Sequence, residues 1–588
     1  MRFYALFTTF TLNKPNTMIS IKNLLAMAFV FLSISSQAQY KQLVQNSTQL
    51  VNNLHDLIPF KKLDQLKIAV VTTNNQEYRP FINQLKRYAN VEEVDFNQYD
   101  ENTKYYNTII VAGTVQDMRP DYLAMLMQSS VNKKKVVFCR FGAEQSFNLG
   151  NLAHFATLVW SPTNTEEAQQ NTAMSLFGGL GITEGQLKTE QTRLQYTSGR
   201  QSGLDIAKMT REIDAIANDA IAQKAAPGMM VMAVKNGQVI FEKAYGYHTY
   251  DKSQANQLED IYDLASISKI MGTTPVIMNL QEKGIINLDS TMGYYLWQAK
   301  ETNKAKITLR TVLLHEAGFT PFIPFYKYLK AGDLQHNLSE SHQVQVADGA
   351  YLRNNYYQEV MWPQMLKSDV KPIGNYVYSD ISMYVMKEVA EHETSTPMQD
   401  YVQEILYKPI GMKTAGYLPR SRFAKNKIVP TQQDTAFRKT LLQGFVHDEG
   451  AAMAGGVAGH AGLFSSANDL AIYGQLLLNR GEYGGERYFK SETIDLFTSK
   501  QSATSRRGLG FDRFDPKPNA NYPSKLANES VYGHTGYTGT NIWIDPKNQF
   551  IFIFLSNRVH PQVNTKIYDL NVRSRIHDVI YQTINEAK

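Results

Sequence analysis

The 588-residue chain has one cysteine, Cys139, so it can form no intramolecular disulfide and no metal site built on two or more thiolates. Cys139 follows Val136-Val137-Phe138, a setting in which a thiol reads as a small buried hydrophobe. Charged residues make up only 19% of the chain. Half of the net charge of +6 comes from Arg2, Lys14 and Lys22, in a start that holds no acid, and the remainder lacks the basic clustering of a nucleic-acid binder. Glycine (36) and proline (20) are too scarce, and hydrophobic residues (43%) too abundant, for a disordered or collagen-like chain. No apolar run reaches the ~20 residues that span a bilayer.

From Met18 the sequence MISIKNLLAMAFVFLSISSQAQY places Lys22, a short apolar run and Ser36-Gln37-Ala38 in the order of a secretory signal peptide, giving a leader over residues 1–39. Met18 is a second candidate start. No cysteine stands at the cleavage point, which excludes a lipoprotein anchor. The mature protein is expected to be exported from a bacterial cell, periplasmic or secreted, without a stable membrane anchor. Lacking disulfides, it depends on core burial for stability.

Between Lys67 and Gly179, Val/Ile-rich runs (KIAVVTT, VEEVDF, NTIIVAG, KKVVFCRF, ATLVWSP) alternate with amphipathic stretches (EYRPFINQLKRYA, DYLAMLMQSSVN, TEEAQQNTAMSLFGG). This pattern predicts a doubly wound α/β domain over residues 60–180. Thr72-Thr73-Asn74-Asn75 follows the first run where a nucleotide-binding chain would carry a glycine-rich loop, so no nucleotide cofactor is expected. KKVVFCRFGAEQSF and LVWSPTNTEEAQQNTAMSLFGG resemble the C-terminal domain of family 3 glycoside hydrolases of the β-N-acetylglucosaminidase type. The barrel that precedes this domain in that family has no room here, and no pair of carboxylates stands out for glycoside cleavage, so a remnant or docking domain is expected. The polar stretch 181–203 reads as a linker.

Residues 204–588 change character. An amphipathic helix (Leu204 to Gln223) leads into MMVMAVKNGQVIFEKAYGY, whose Asn236-Gly237 predicts a hairpin. Three short motifs follow. Ser266-Ile267-Ser268-Lys269 opens an apolar helix, and the i, i+3 spacing puts hydroxyl and amine on one face. A serine hydroxyl needs an adjacent base to act as a nucleophile, and a lysine serves only if its pKa is lowered. Tyr378-Ser379-Asp380 precedes a second helix, and His534-Thr535-Gly536 precedes two strands joined at Pro546-Lys547-Asn548. His315-Glu316 lacks the second histidine of HExxH, since Phe319 stands in its place, and no metal site is expected.

Together these motifs resemble the serine β-lactamase and penicillin-binding-protein superfamily, in particular class C β-lactamases and related esterases. TLRTVLLHEAG (308–318) is similar to the LLTHTSG segment of that branch, while GGVAGHAGLFSSANDLAIYG (455–474), with VHDEG (446–450) before it and GHTGYTGT (533–540) after it, is most similar to exported hydrolases associated with muropeptide recycling. The resemblance implies an α+β domain, an antiparallel sheet with helices on both sides and a helical subdomain. It implies Ser266 as the acylated nucleophile, Lys269 as the group that eases its deprotonation and Tyr378 as general base and proton shuttle. The backbone N–H groups of Ser266 and Tyr537 would form the oxyanion hole, with Thr535 and Gly536 lining the cleft.

Two positions depart from that family. Asp380 stands where asparagine is common and would meet an amine or hydroxyl of the substrate, or orient Lys269. His534 stands where lysine is common, so the site is expected to lack a permanent cation and to handle the β-lactam carboxylate poorly. His460 is a candidate to reach the cleft. The segment 320–374 carries Phe322, Phe325, Tyr326, Tyr328, Tyr356, Tyr357 and Trp362, suited to stacking if exposed and to a core if buried.

The expected protein is an exported serine hydrolase working through an acyl-enzyme on amide bonds of peptidoglycan-derived muropeptides, in the manner of an N-acetylmuramyl-L-alanine amidase, without cofactor. A carboxylesterase or D-amino-acid peptidase is the alternative on the same machinery, and a non-catalytic protein that binds cell-wall fragments is the other. The partner in each case is a small molecule or wall fragment, not nucleic acid.

Overall fold

A computed structural model describes residues 48–587 apart from 73, 96–103, 115–127, 131–132, 144–153, 185–186, 201 and 518–523. The leader expected at 1–39 and most of the helix expected at 121–132 lie outside the described residues.

The first unit is built on an eight-stranded sheet. Strands β2 (Ile68–Thr72), β3 (Val91–Asp95), β4 (Thr108–Gly113), β5 (Lys135–Phe141) and β6 (Thr157–Ser161) are parallel, in the spatial order β3-β2-β4-β5-β6. This is the doubly wound arrangement expected of the alternating pattern, and the strands are nearly continuous in apolar residues because both faces are covered. Helix α1 (Arg79–Tyr88) and helix α2 (Glu166–Leu176), capped by Thr165, lie against it. Cys139 is fully buried in β5. A strand not foreseen, β1 (Gln49–Asn52), pairs antiparallel with β6, and β7 (Thr183–Glu184) and β8 (Leu187–Lys188) extend the edge.

The stretch 181–203 joins the units and is packed over much of its length. Leu194, Gln195 and Tyr196 are buried; Tyr88 Oη donates to the Leu194 carbonyl at 2.6 Å, and Arg193 Nη1 donates to the carbonyls of Phe60 and Phe177 at 2.7 Å.

The second unit has a six-stranded antiparallel sheet ordered β10-β9-β14-β13-β12-β11, with β9 (Gly228–Lys235), β10 (Gln238–Gly246), β11 (Asp512–Arg513), β12 (Tyr532–Gly536), β13 (Thr540–Asp545) and β14 (Phe550–Ser556). Asn236-Gly237 makes the expected turn between β9 and β10. Period-2 alternation sends Met229, Val231 and Ala233 against helices α3 (Ile206–Ala222) and α7 (Val572–Glu586), and Met230, Met232 and Val234 into the larger core on the other face. That larger core holds helices α4 (Thr274–Glu282), α5 (Ile381–Thr394) and α6 (Ala467–Leu478), the helical subdomain. The segment 320–374 folds onto it: Phe325, Tyr356 and Trp362 are buried, while Phe322 and Tyr328 stay exposed.

Candidate active site

Three chain segments meet beside the edge of the second sheet. The first carries Ser266. After Asp263 the backbone turns through Ala265, which adopts φ +47, a left-handed conformation costing about 1–2 kcal/mol in a residue with a Cβ. The buried Asp263 carboxylate holds that turn by accepting from the Ala265 N–H at 2.9 Å and the His447 N–H at 2.6 Å. Burial raises its pKa to about 6, against the pull of those two donors. A tight turn at Ala265–Ile267 and a wider one at Lys269–Thr273 then run into α4. This puts Lys269 Nζ 2.9 Å from Ser266 Oγ.

The second segment is 376–380. Ser379 Oγ donates to the Thr320 carbonyl, and the Ser379 N–H to His315 Nδ1 at 3.2 Å, which aims Tyr378 and Asp380 at the lysine. Lys269 Nζ donates to Asp380 Oδ1 at 2.8 Å and to the His460 carbonyl at 3.2 Å, and sits 4.9 Å from the centre of the Tyr378 ring. His315, buried and itself at φ +56, packs its ring 4.7 Å from that of Tyr378.

The third segment is the end of β12, stapled to the first. Thr538 Oγ1 donates to the Asp263 carbonyl at 2.7 Å and Thr540 Oγ1 to that of Leu264 at 3.1 Å. A Cβ at Gly536 would fall 2.3 Å from the Leu264 oxygen, so glycine is what lets the strand end approach the nucleophile's turn. Thr535 lies half-buried on this strand, and Tyr537, just past it, is 53% exposed.

Electrostatics set the resting protonation states. Burial on its own would depress the Lys269 pKa, but Asp380 and the Tyr378 oxygen outweigh it and the net shift is upward. The ammonium therefore stays charged, and a lysine base of lowered pKa is corrected by the carboxylate beside it. Burial raises the Tyr378 phenol, only partly offset by Lys269 and Arg507, so the phenol stays neutral.

Arg507 is the residue that sequence reasoning missed. Its guanidinium is buried, 5.3 Å from the Tyr378 ring centre, with Nη1 3.3 Å from His534 Nε2 and Nε and Nη2 on Tyr376 Oη at 3.3 and 3.1 Å. A cation does stand beside His534, against the expectation of none: Arg507 supplies it, with its Nε 3.8 Å from the buried Asp512 carboxylate. Glu316 anchors the delivering loop by accepting from Ser502 and Thr504 Oγ1. His534 Nδ1 faces the Thr535 carbonyl at 2.7 Å, so the ring donates there and accepts from Arg507. Burial, then the charges of Arg507 and Lys269, hold its pKa down at about 3, and the imidazole is neutral.

His460 reaches this region through its backbone carbonyl. Its side chain points to Asp448, with Nε2 2.9 Å from Oδ1. Gly459 permits the approach, since a Cβ there would lie 1.9 Å from the Met383 carbonyl at the start of α5. Ligand atoms of Asp380, Asp448 and His460 lie within 4.8 Å of one another, the arrangement among the described residues most like a metal cradle. Lys269 already neutralises Asp380, and Asp448 is engaged by His460 and the Ala451 N–H at 2.7 Å, so the trio is compensated from within.

A helix-covered antiparallel sheet with a serine, a charged lysine and a tyrosine gathered at its edge defines a serine hydrolase. The chain belongs to the beta-lactamase family, whose model matches residues 213–574. An N-acetylmuramyl-L-alanine amidase of Bacillus subtilis (strain 168) is 30% identical over 392 residues, covering 62% of this chain and 85% of its own. A protein of Escherichia coli (strain K12) described as a "Putative D-alanyl-D-alanine carboxypeptidase" is 29% identical over 377 residues, covering 58% and 82%. Among solved structures, a penicillin-binding protein homologue from Caulobacter crescentus aligns with a TM-score of 0.49 at 16% identity, covering 64% of this chain and 97% of its own. No helix among the described residues is long and apolar enough to cross a membrane.

Proposed function

We propose that this chain is an exported hydrolase that cleaves amide bonds in peptidoglycan-derived muropeptides through an acyl-enzyme on Ser266, in the manner of an N-acetylmuramyl-L-alanine amidase. The observation that carries it is the ammonium of Lys269 donating to Ser266 Oγ while Asp380 keeps that ammonium charged. The name of the Bacillus subtilis relative supports the choice of bond.

In this reading Ser266 Oγ attacks the amide carbon as its proton passes to the Tyr378 oxygen and the Tyr378 proton passes to the departing nitrogen. The C–N bond breaks and tyrosine is regenerated neutral, so a phenol of raised pKa suffices as a relay. Lys269 stabilises the serine oxygen as negative charge develops. The N–H groups of Ser266 and Tyr537 receive the carbonyl oxygen, each such donor being worth about 3 kcal/mol. Thr535 and Gly536 line the cleft beside the neutral His534. Water then enters by the reverse relay and releases the acid. The unit at 60–180, whose sequence resembles the C-terminal domain of family 3 glycoside hydrolases, serves in this reading as a remnant or docking domain.

The test is mass spectrometry of an N-acetylmuramyl-peptide incubated with the mature protein and with Ser266→Ala. Free peptide and N-acetylmuramic acid formed by the wild type alone support the amidase; intact substrate in both overturns it. A D-amino-acid peptidase on the same machinery is the second reading, favoured by the name of the Escherichia coli relative, and release of terminal D-alanine would mark it. Absence of fluorophosphonate labelling of the wild type would favour a wall-fragment binder instead.

A further inference from the structure

The proposed reaction leaves unused a cavity of about 980 Å³ whose lining does not include Ser266. Its wall comes from the segment 320–374, the turn at 297–302 and the outer face of α5. Three features describe what it would hold. Trp297 lies on it with 69% of its surface exposed, a large flat ring that no packing demands. Its lining includes the side-chain amides of Gln298, Asn355 and Gln358, each offering donor and acceptor together, whereas that of Asn354 is spent on the Gln343 N–H and the Glu340 carbonyl, both at 2.9 Å. Behind the same wall two polar atoms closed off from solvent have no partner in the chain: the Trp362 indole N–H, in a residue only 6% exposed, and the side-chain carbonyl oxygen of Gln298. Such groups are rarely left unmet in a folded chain.

The charges that α5 contributes are spent on one another. Lys387 Nζ is 2.6 Å from Glu391 and 3.8 Å from Glu388, and Glu388 also accepts from Tyr357 Oη at 2.8 Å. A charged ligand would find no free counter-charge on this helix, and the other cation of the lining, Lys367, is an exposed side chain screened by water. A neutral molecule with an apolar face for the indole and hydroxyl or acetamido edges for the amides fits all three features, and that is the chemistry of a sugar ring.

We propose that this cavity binds an uncharged saccharide. Glu388 and Glu391 lie 8 and 11 residues beyond Asp380, about 12 to 17 Å along the axis of α5. A glycan-bearing substrate spans that reach and a small acyl compound does not. The inference stands on the cavity and goes beyond the reaction assigned above, so failure of hydrolysis does not touch it.

The test titrates tri-N-acetylchitotriose, with no turnover required, into the mature protein and follows saturation-transfer NMR and tryptophan fluorescence. Saturable binding is expected for the wild type and equally for Ser266→Ala. Trp297→Ala, a change at an exposed side chain that leaves the circular dichroism spectrum intact, weakens it at least tenfold, and Gln298→Ala weakens it as well. No saturable binding, or binding indifferent to Trp297→Ala, overturns the proposal. So does a sugar-free stem peptide that saturates the same site while the saccharide does not.

Discussion

The Lys269 ammonium and the Asp380 carboxylate lie 2.8 Å apart, the lysine fully buried and the aspartate 23% exposed. The pair fixes the lysine as a cation facing Ser266 and decides which residue is left to move protons.

Replacing Asp380 by Asn removes the group that holds the Lys269 pKa up, so burial then prevails and the pKa falls. The alkaline limb of the kcat profile is expected to move to lower pH by about one unit or more. An unmoved limb would show that Lys269 owes its charge to something else.

Ser266→Ala is expected to abolish both turnover and fluorophosphonate labelling. Tyr378→Phe keeps the ring that packs on His315 but removes the relay oxygen, and kcat should drop about 10²- to 10⁴-fold with labelling slowed. Retention of wild-type kcat by the phenylalanine variant would remove tyrosine from the mechanism.

Arg507→Ala takes away a cation that depresses His534 and steadies Tyr378. In an NMR titration the His534 imidazole should move up from about 3 toward the ordinary 6.5, and kcat should fall. Arg507→Lys, which keeps charge but loses the fork that spans Tyr376 and His534, should restore the titration better than the rate.

Acid should weaken the fold before it protonates most carboxylates. His447 and His534 have folded pKa values of about 4 and about 3, below the ordinary 6.5, so the unfolded chain takes up protons first as pH falls. Their contribution is whole above 6.5 and shrinks down to those values, by about 1.4 kcal/mol per group per pH unit. Asp263, raised from 3.8 to about 6, works the other way between those two values, as do the raised carboxyls of Glu449 and Asp578, but His315 and His560 are lowered as well, and four such imidazoles against three such carboxyls leave a net loss. A falling Tm between pH 6.5 and 4, flattened in His447→Gln, is the expected record; a flat wild-type profile would refute it.

Strands β2 to β6, β9, β10, β13 and β14 and the helices at α1, α2, α3 and α5 were legible because their patterns are local: runs of Val and Ile, period-2 alternation, Asn-Gly between strands. Ser266, Lys269, Tyr378 and Asp380 were legible because each stands in a short motif beside a predicted helix. Strand β1 was not, since its four residues, Gln49–Asn52, mean nothing until β6 offers an edge. Arg507 was hidden for a related reason. It follows Arg506 in a polar loop, and only the fold distinguishes the two: both lie near Asp512, but Arg506 turns out to Asp515 while Arg507 goes inward to Tyr376 and His534. The adjacent pair ahead of Gly508 was its one visible trace.

The buried joint between the sheets also bears on how such a protein can be taken apart. Arg87 of α1 makes a two-point contact with Glu242 of β10 at 3.2 and 2.7 Å, and Tyr483 Oη accepts from the Leu194 N–H at 3.3 Å. Cutting the gene near residue 200 would not release a ready-made enzyme. It would strand Glu242 without its guanidinium and strip Tyr483 of the chain that covers it. A fusion joined in this way is inherited as one object: neither half can be lost or exchanged by a single recombination unless the surface it leaves behind is rebuilt.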